Sequence, residues 1–285
     1  MDVPGGEDLD ASLRDFLAED IGEADLTTEA TVPQATLARA EIQARAACVV
    51  SGLDVAHRAF QMLDTRVAWE AAARDGERVE AGGRLARLSG PARSILTGER
   101  VALNLLQRMS GIATATRRYV EAVAGTRCRI LDTRKTAPGL RAFDRMAVTH
   151  GGGENHRFSL SDLVLIKDNH RRLAGGVGRA VAAARAASRP GMVIEVEVES
   201  ESDLREALAA RADMILIDNQ TPETVARWTA LVRRSPNPPL VEASGGITLE
   251  NVRQYAEAGP DRISVGALTH SVTAADIALE VLTDG

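Results

Sequence analysis

Two lysines mark the segments of this sequence whose polar side chains could do chemistry. Among 34 Lys and Arg residues, only Lys135 and Lys167 are lysines. One lies in the polar run 132–136 and the other in 165–170, and each follows an apolar stretch typical of a buried strand. A lysine ammonium is a compact charge with rotatable donors, which the planar guanidinium of arginine does not replace. Chance retention on the surface is the simpler explanation, but the strand-end positions favour a functional site.

An acidic strand supplies the second candidate group. Glu195, Glu197 and Glu199 alternate with β-branched apolar residues, so a strand would place all three carboxylates on one face. If the apolar face packs on helices, the glutamates face the interior, where a carboxylate must be paired or bind a metal. Glu197 is the stronger candidate, sharing Mg²⁺ with Asp218, because a few hard oxygen ligands suit a metal held partly by substrate phosphates. Solvation explains Glu199 equally well.

Glycine-rich segments supply the remaining candidates. In the run 151–157, three glycines permit close backbone approach, and His156 and Arg157 follow as directional donors. The run Ser244-Gly245-Gly246 and the run 264–269 could bind a phosphate through backbone N–H groups. Each segment alone is as readily an ordinary turn. Their places between the lysine segments and after the last two predicted strands favour a shared anion site.

A parallel α/β domain is the architecture that would bring these residues together. Apolar strand-like runs alternate with Ala-rich amphipathic segments, which predicts βαβ units and a barrel-type sheet smaller than the complete eight-fold one. A doubly wound sheet is the alternative, but no Gly-x-Gly-x-x-Gly turn follows the first strand. The predicted strands are 128–133, 163–167, 193–198, 214–218, 240–244 and 263–266. The predicted helices are 178–187, 202–210, 222–232 and 249–258.

The first 110 residues have a different pattern. A strand is predicted within 37–50, a helix through 55–63 and short antiparallel strands within 67–88. A long helical pattern opens at Pro91, with a break predicted at Ser110-Gly111 and a second helix over 113–123. We therefore predict a small α+β domain that ends near residue 110.

Composition limits the class of partner. The chain has 285 residues, a net charge of −6 and 3% aromatic residues, which argues against binding nucleic acid or anionic membranes. No apolar run is long enough for a membrane span, the N-terminus lacks the order of a signal peptide, and two cysteines are too few for a disulfide framework. We expect a cytoplasmic protein. Between residues 127 and 157, however, seven Lys or Arg accompany three Asp or Glu, a cationic island suited to a small anion.

The polar segments together resemble those of nicotinate-nucleotide pyrophosphorylases, the quinolinate phosphoribosyltransferases. Arg145-Met146 stands where the family pattern leads us to expect Lys-Tyr, outside the polar clusters. The resemblance runs from about residue 19 to 282 and is carried by Asp132-Thr-Arg-Lys-Thr-Ala-Pro-Gly-Leu-Arg141, Gly151-Gly-Gly-Glu-Asn-His-Arg157, Leu165-Ile-Lys-Asp-Asn-His170, Ile194-Glu-Val-Glu-Val198, Ile217-Asp-Asn219, Glu242-Ala-Ser-Gly-Gly246 and Gly266-Ala-Leu-Thr-His270.

The resemblance implies an N-terminal α/β sandwich domain over 1–110, an incomplete TIM-like α/β barrel over 111–270 and a tail, 271–285, that packs back on the first domain. It implies a homodimer with shared active sites, or a higher oligomer, that converts quinolinate and phosphoribosyl pyrophosphate with Mg²⁺ in NAD biosynthesis. Lys135, Lys167, Glu197 and Asp218 would be catalytic, the last two also holding the metal. The implied substrate-binding residues are Arg100 from the partner subunit, Arg134, His156, Arg157, Ser244, Gly245, Gly246, Gly266 and Ala267.

Other functions remain open on the sequence alone. The same fold would suit a phosphoribosyltransferase that acts on nicotinate, or the molybdenum-transport-associated homologue of unknown substrate. The intact run 166–170 favours the quinolinate enzyme. A catalytically silent phosphate-ligand-binding or regulatory subunit belongs to a different class, and turnover separates it from an enzyme.

Overall fold

The computed structural model describes residues 6–282, and the predictions for residues 1–5 and 283–285 lie outside this part. The strands are β1 Leu37–Ala44, β2 Cys48–Val49, β3 Ala68–Ala71, β4 Arg78–Val79, β5 Arg84–Pro91, β6 Arg129–Leu131, β7 Val164–Ile166, β8 Ile194–Val198, β9 Met214–Asp218, β10 Leu240–Ser244, β11 Arg262–Ser264 and β12 Ile277–Leu282. The helices are α1 Gly6–Ile21, α2 Leu26–Thr31, α3 Leu53–Leu63, α4 Ala92–Ala122, α5 Arg141–His150, α6 Asp168–Ala174, α7 Val177–Ala187, α8 Glu201–Ala209, α9 Pro222–Arg233, α10 Val252–Glu257 and α11 Ala267–His270. None of these helices is long and apolar enough to cross a membrane.

The described chain forms two compact units, and each draws on separate stretches of sequence. The first contains the residues up to Arg117, the stretch Thr136–Gly152 and the residues from Thr269 onward. The second contains Arg118–Lys135 and Gly153–Leu268. By their contacts, residues 136–152, which include all of α5, group with the first unit. The domain boundary near residue 110 stays a prediction.

An antiparallel sheet with the strand order β12-β1-β5-β3 forms the centre of the first unit. β1 lies between β5 and β12 and pairs antiparallel with both. Ile42 and Leu85 are fully buried, since alternate positions of the sheet face the core. The C-terminal strand is thus part of the same sheet as the first strand of the chain, with Ala44 opposite Ile277.

The break predicted at Ser110-Gly111 is wrong, since α4 runs without interruption from Ala92 to Ala122. The Ser110 hydroxyl accepts a hydrogen bond from the Ser51 N–H at 3.0 Å, so this serine joins the helix to a neighbouring loop. A Cβ at position 111 would lie 2.1 Å from the Thr273 carbonyl oxygen. The glycine therefore permits close contact with the C-terminal segment and does not end the helix.

A six-stranded sheet with the order β6-β11-β10-β9-β8-β7 forms the second unit, and every pairing in it is parallel. Helices α7, α8, α9 and α10 connect successive strands. Local sequence sets where they begin: the Ser200 hydroxyl accepts from the N–H of Asp203 at the start of α8, and the Thr221 hydroxyl caps α9 just before Pro222. The predicted α/β fold with a barrel-like parallel domain is confirmed.

A loop spans the two edge strands of this sheet, β6 and β7. Glu154 forms a parallel bridge with Leu131, and the Glu154 N–H donates to the Ile130 carbonyl at 2.8 Å. A few residues later the Arg157 guanidinium donates to the Leu163 carbonyl at 3.1 Å, next to the start of β7. The predicted glycine-rich segment therefore leads into a segment that bridges the gap between the first two barrel strands.

Candidate active site

The strand register brings the polar side chains onto one face of the parallel sheet. Glu197 lies opposite Leu216, Leu216 lies opposite Glu242, and Asp218 lies opposite Ser244. Paired positions in adjacent strands point to the same side of a sheet, so these residues share a face. The alternating β-branched residues of β8 are buried on the opposite face, as predicted. Because the strands are parallel, their carboxyl ends meet, and the residues at those ends form a rim.

Three carboxylates and two lysines lie together on this rim, which we call the rim cluster. Oxygen atoms of Glu197, Glu199 and Asp218 all lie within 4.8 Å of one another. The Lys167 ammonium donates to Glu197 Oε2 at 3.1 Å. The charge of Lys135 also acts on Asp218, so both lysines belong to this group. The structure thus brings together the four residues predicted to be catalytic.

The electrostatics of the rim cluster favour an added cation. Burial, and next the negative charge of Glu197, raise the pKa of Asp218 above its usual value, while Lys167 and Lys135 oppose the shift. A divalent ion would relieve the repulsion among the carboxylates. Hard oxygen donors in this number, with room left for substrate oxygens, fit Mg²⁺ well.

Neighbouring residues hold the rim cluster in place. Arg171 is buried, and its guanidinium forms ion pairs with Glu199 at 3.1 Å and with Asp203 at 2.6 Å. Glu199 is therefore paired with a cation and not simply solvated. The His170 Nδ1 accepts the Lys167 N–H at 2.9 Å, which fixes the backbone at the start of α6.

A second, fully enclosed group lies deeper on the same face, and we call it the buried cluster. The Nε2 of His156 lies 3.3 Å from a Glu195 oxygen and 3.5 Å from a Glu242 oxygen. Both glutamates are completely buried and His156 is nearly so. The residue that meets Glu195 is thus the histidine.

The buried cluster carries an extra proton near neutral pH. Burial, and next the charge of Glu195, raise the pKa of Glu242 to about 7. Burial opposes a charged imidazole, but the contact with Glu195 and the negative charges around the ring raise the pKa of His156 overall. The Arg157 N–H nevertheless donates to the His156 Nδ1 at 2.7 Å, and a backbone N–H can only donate. This hydrogen bond excludes a charged ring, so the ring hydrogen lies on Nε2 and the extra proton lies on Glu242.

Two guanidinium groups form the cationic side of the site. Arg157 is buried, and burial together with the nearby charge of Arg134 lowers its pKa. Asp162 counters this in part, and its carboxylate also accepts the backbone N–H groups of Phe158 and Ser159, which fixes the turn after Arg157. Like charges brought together at a buried position favour an anionic ligand that lies between them.

The loop after β10 has the geometry expected of a phosphate-binding turn. Gly245 has a φ of +88°, and a Cβ there would lie 2.1 Å from Asn219 Oδ1, so only glycine fits. Asn219 also donates to the Asp218 carboxylate at 2.6 Å, so this turn and the rim cluster are joined. A Cβ on Gly246 would meet no atom within 4 Å, which leaves open space beside the backbone. Gly266 and Ala267 follow the adjacent strand β11.

All of the predicted site residues except one belong to the second unit. Arg100 lies exposed on α4 in the first unit. Its contribution to the active site of a partner subunit stays a prediction. The site residues of the second unit are Arg134, Lys135, His156, Arg157, Lys167, Glu197, Asp218, Ser244, Gly245, Gly246, Gly266 and Ala267.

Sequence reasoning missed two features of the site. Glu242 was named only within a segment that carries the family resemblance, although it completes the buried cluster with residues from a loop and from β8. Arg171 was not singled out, although it neutralises Glu199. A buried strand that contains a lone glutamate was the available signal for Glu242, because such a carboxylate requires a partner.

Comparison with known proteins decides the family. Models of the quinolinate phosphoribosyl transferase N-terminal and C-terminal domains match residues 25–110 and 112–280. The chain belongs to the quinolinate phosphoribosyl transferase family. It is 44% identical over 269 residues to a probable carboxylating nicotinate-nucleotide pyrophosphorylase of Bacillus subtilis, covering 94% of this chain and 92% of the relative. The carboxylating enzyme of Mycobacterium leprae is 44% identical over 279 residues, covering 95% and 96%.

The solved structures show the same relationship in three dimensions. The nicotinate-nucleotide pyrophosphorylase of Francisella tularensis superposes with a TM-score of 0.91 at 36% identity and covers 98% of this chain and 97% of its own. A quinolinate phosphoribosyl transferase fold with both domains is therefore present over nearly the whole sequence. The family resemblance stated from the polar segments is confirmed.

Proposed function

We propose that this chain transfers the phosphoribosyl group of phosphoribosyl pyrophosphate to quinolinate and releases nicotinate mononucleotide, pyrophosphate and CO₂, a step of de novo NAD biosynthesis. The observation that supports the proposal is that the site contains both a pair of arginines and a group of carboxylates paired with a lysine. Arg134 and Arg157 are neighbouring guanidiniums, and Lys167 is ion-paired with Glu197 next to Asp218. A dicarboxylate and a ribose phosphate need this combination of charges.

The guanidinium pair suits the two carboxylates of quinolinate. Arginine binds a carboxylate through two parallel hydrogen bonds, and a dianion would stabilise buried Arg157 beside half-buried Arg134. Lys167 is half exposed, so its ammonium is open to a substrate as well as to Glu197. Lys135 is exposed and would meet a substrate phosphate or carboxylate. Arg100 of a partner subunit would complete this side.

The glycine turn suits the phosphoribosyl phosphate. Backbone N–H groups of Ser244, Gly245 and Gly246, with those of Gly266 and Ala267, would hold the phosphate at adjacent strand ends. The open space beside Gly246 supports this assignment. Glu197 and Asp218 would hold Mg²⁺, which when bound offsets the charge of the pyrophosphate.

The chemistry proceeds by charge stabilisation more than by proton transfer. As the bond from the ribose C1 to pyrophosphate breaks, its electron pair leaves with pyrophosphate and C1 becomes positive. The Glu197 and Asp218 carboxylates stabilise that charge, and the pyridine nitrogen lone pair forms the new bond. The bond between the ring and the adjacent carboxylate then breaks, CO₂ leaves, and the electron pair stays on the ring carbon, which takes a proton. Arg134 and Arg157 orient the ring through its carboxylates.

We propose in addition a homodimer with shared active sites, or a higher oligomer, in the cytoplasm. Exposed Arg100 on α4, away in sequence from the other cations, supports a role in a partner's site. Mixing an inactive Arg100→Ala chain with an inactive Lys167→Ala chain tests it, because sharing predicts partial recovery of activity in hybrid dimers. No recovery in hybrids verified by mass would reject shared sites.

Pyrophosphate release is the measurement that tests the reaction. Quinolinate, nicotinate and nicotinamide are offered separately with phosphoribosyl pyrophosphate and Mg²⁺. We expect release with quinolinate alone, matched by an equal amount of CO₂. Release with nicotinate would reject the substrate assignment and keep the transfer reaction. If none of the three causes pyrophosphate release and the protein still retains ligand, the result would favour a binding or regulatory protein.

A further inference from the structure

The buried cluster has the residue types of a metal site, but its hydrogen bonds identify a different role. His156, Glu195 and Glu242 offer one nitrogen and two carboxylate oxygens within 4.8 Å of one another. A histidine that binds a metal through Nε2 must carry its hydrogen on Nδ1. Here Nδ1 accepts the Arg157 N–H at 2.7 Å, so the hydrogen lies on Nε2 and that atom has no lone pair for a metal.

The His156 residue is held from three directions. Its backbone N–H donates to Asp132 Oδ1 at 2.7 Å. The ring Nε2 lies 3.3 Å from a Glu195 oxygen and 3.5 Å from a Glu242 oxygen. Both Glu195 oxygens are closed to solvent and, within residues 6–282, accept no well-aligned hydrogen bond, so the approach of the His156 Nε2 to 3.3 Å is the contact that offsets the burial of this carboxylate. The buried glutamates and the imidazole therefore depend on each other.

The remaining ring nitrogen acts on Arg157. Nδ1 accepts the Arg157 backbone N–H, and the Arg157 guanidinium donates to the Leu163 carbonyl at 3.1 Å. The two contacts fix both ends of a buried arginine whose backbone lies in the loop between β6 and β7. With each ring nitrogen engaged inside the protein, the imidazole has no hydrogen-bonding atom left for a substrate.

We propose that His156 is a positioning residue for Arg157: its ring, braced by Glu195 and Glu242, sets the backbone of Arg157 and thereby the direction of the guanidinium that binds a substrate carboxylate. This inference replaces the direct substrate contact predicted for His156. It rests on the proposed function, since Arg157 is taken to bind quinolinate. Glu195 and Glu242 act through His156 and touch no substrate.

Two substitutions separate positioning from direct contact. Asn at position 156 offers an acceptor near the place of Nδ1, whereas Gln offers a donor near the place of Nε2. Positioning predicts that His156→Asn binds quinolinate more tightly than His156→Gln, because His156→Gln leaves the buried Arg157 N–H unsatisfied, a loss of roughly 10–100-fold in affinity. Calorimetric titration of quinolinate measures both. Tighter binding by His156→Gln would overturn the proposal.

The wild-type protein supplies a test that does not depend on the variants folding. Nitrogen-15 NMR of histidine-labelled protein, with the His156 signal assigned by its loss in His156→Asn, reports which ring nitrogen carries hydrogen. We expect a neutral Nε2–H ring, the same with and without quinolinate. An imidazolium, an Nδ1–H ring or a change of form on binding would overturn the proposal. Failure of wild-type turnover with quinolinate would instead reject the proposed function and leave the ring assignment intact.

Discussion

The rim cluster and the buried cluster lie on the same face of the parallel sheet, yet they differ in their charged neighbours and in their access to solvent. Each gathers three potential ligand atoms within 4.8 Å. The rim cluster meets lysines and lies at the strand ends, where substrate and ions have access. The buried cluster is closed to solvent and contains an imidazole whose Nδ1 accepts the Arg157 N–H. The comparison teaches that access and the state of the partner nitrogen, more than the set of residues, distinguish carboxylates that are open to an added cation from carboxylates that are enclosed with a histidine.

Removing the Lys167 ammonium should have the largest effect on the rim. In Lys167→Ala we expect kcat/KM for quinolinate to fall by about 10²–10³-fold, the loss typical of one positioned electrostatic group. The melting temperature should hardly change, because a half-exposed ion pair contributes only about 0–1 kcal/mol. Arg172→Ala is the matched control, since the exposed Arg172 side chain lies on the same helix as Asp168 and forms a loose ion pair with it at 3.7 Å. Near-normal turnover in Lys167→Ala would remove this residue from the site.

Metal dependence should separate the two clusters directly. We expect Asp218→Asn to raise the Mg²⁺ concentration for half-maximal activity by about 10–100-fold, because a ligand oxygen is replaced by an amide. Glu242→Gln should leave this concentration unchanged, since we assign no metal to the buried cluster, where the Nδ1 of His156 accepts the Arg157 N–H and Nε2 carries the ring hydrogen. Activity is measured over a Mg²⁺ titration after treatment with a chelator. An equal shift in both variants would contradict the distinction.

The turn beside the rim allows a comparison between adjacent glycines. Gly245→Ala places a methyl group against Asn219, which also contacts Asp218, so we expect a loss of about 1–3 kcal/mol in the free energy of unfolding. In Gly246→Ala the added methyl group meets open space, so the cost comes from the φ of +64°. We expect a loss of about 1 kcal/mol in the free energy of unfolding. Denaturant unfolding measures both. Equal losses would show that contact with Asn219 is not what requires Gly245.

The smallest expected effect is a change in the pH dependence of stability at the buried cluster. The pKa of Glu242 is 4.5 in the unfolded chain and about 7 in the fold, so the folded protein binds more protons between these values. This group therefore stabilises the fold at low pH and loses that contribution as pH rises through 7. Glu242→Gln should reduce the fall in Tm between pH 5 and pH 8 by roughly 2–4 °C. A profile as steep as that of the wild type would reject the assignment.

Strand-end chemistry was predictable from the sequence. The rule that parallel strands present their carboxyl ends together, applied to Lys167, Glu197 and Asp218, was enough to place them near each other. The alternation in β8 likewise predicted which face carries glutamates. Both inferences depend on periodicities within one strand and on one property shared by all parallel sheets.

Contacts that depend on the order of strands were not predictable. His156 lies in a loop, and its partner Glu242 lies in β10, which the sheet order separates from β8 by β9. No local pattern reports such an arrangement. The helix break predicted at Ser110-Gly111 is wrong for a related reason. The glycine is required by its close approach to the Thr273 carbonyl, which lies far along the chain. Local propensity predicts whether a segment forms a helix or a strand. Contacts with distant parts of the chain decide which residue type a given position requires.

The pairing of β12 with β1 has a consequence for synthesis of the chain on the ribosome. β1 takes its place in the sheet between β5, which follows it closely in the sequence, and β12, which comes after every strand of the parallel unit. Until β12 has been synthesised, one side of β1 presents unpaired N–H and C=O groups, the condition under which nascent strands associate wrongly. The strands of the parallel unit all precede β12, so that unit can form first. Maturation of the first unit therefore waits for β12.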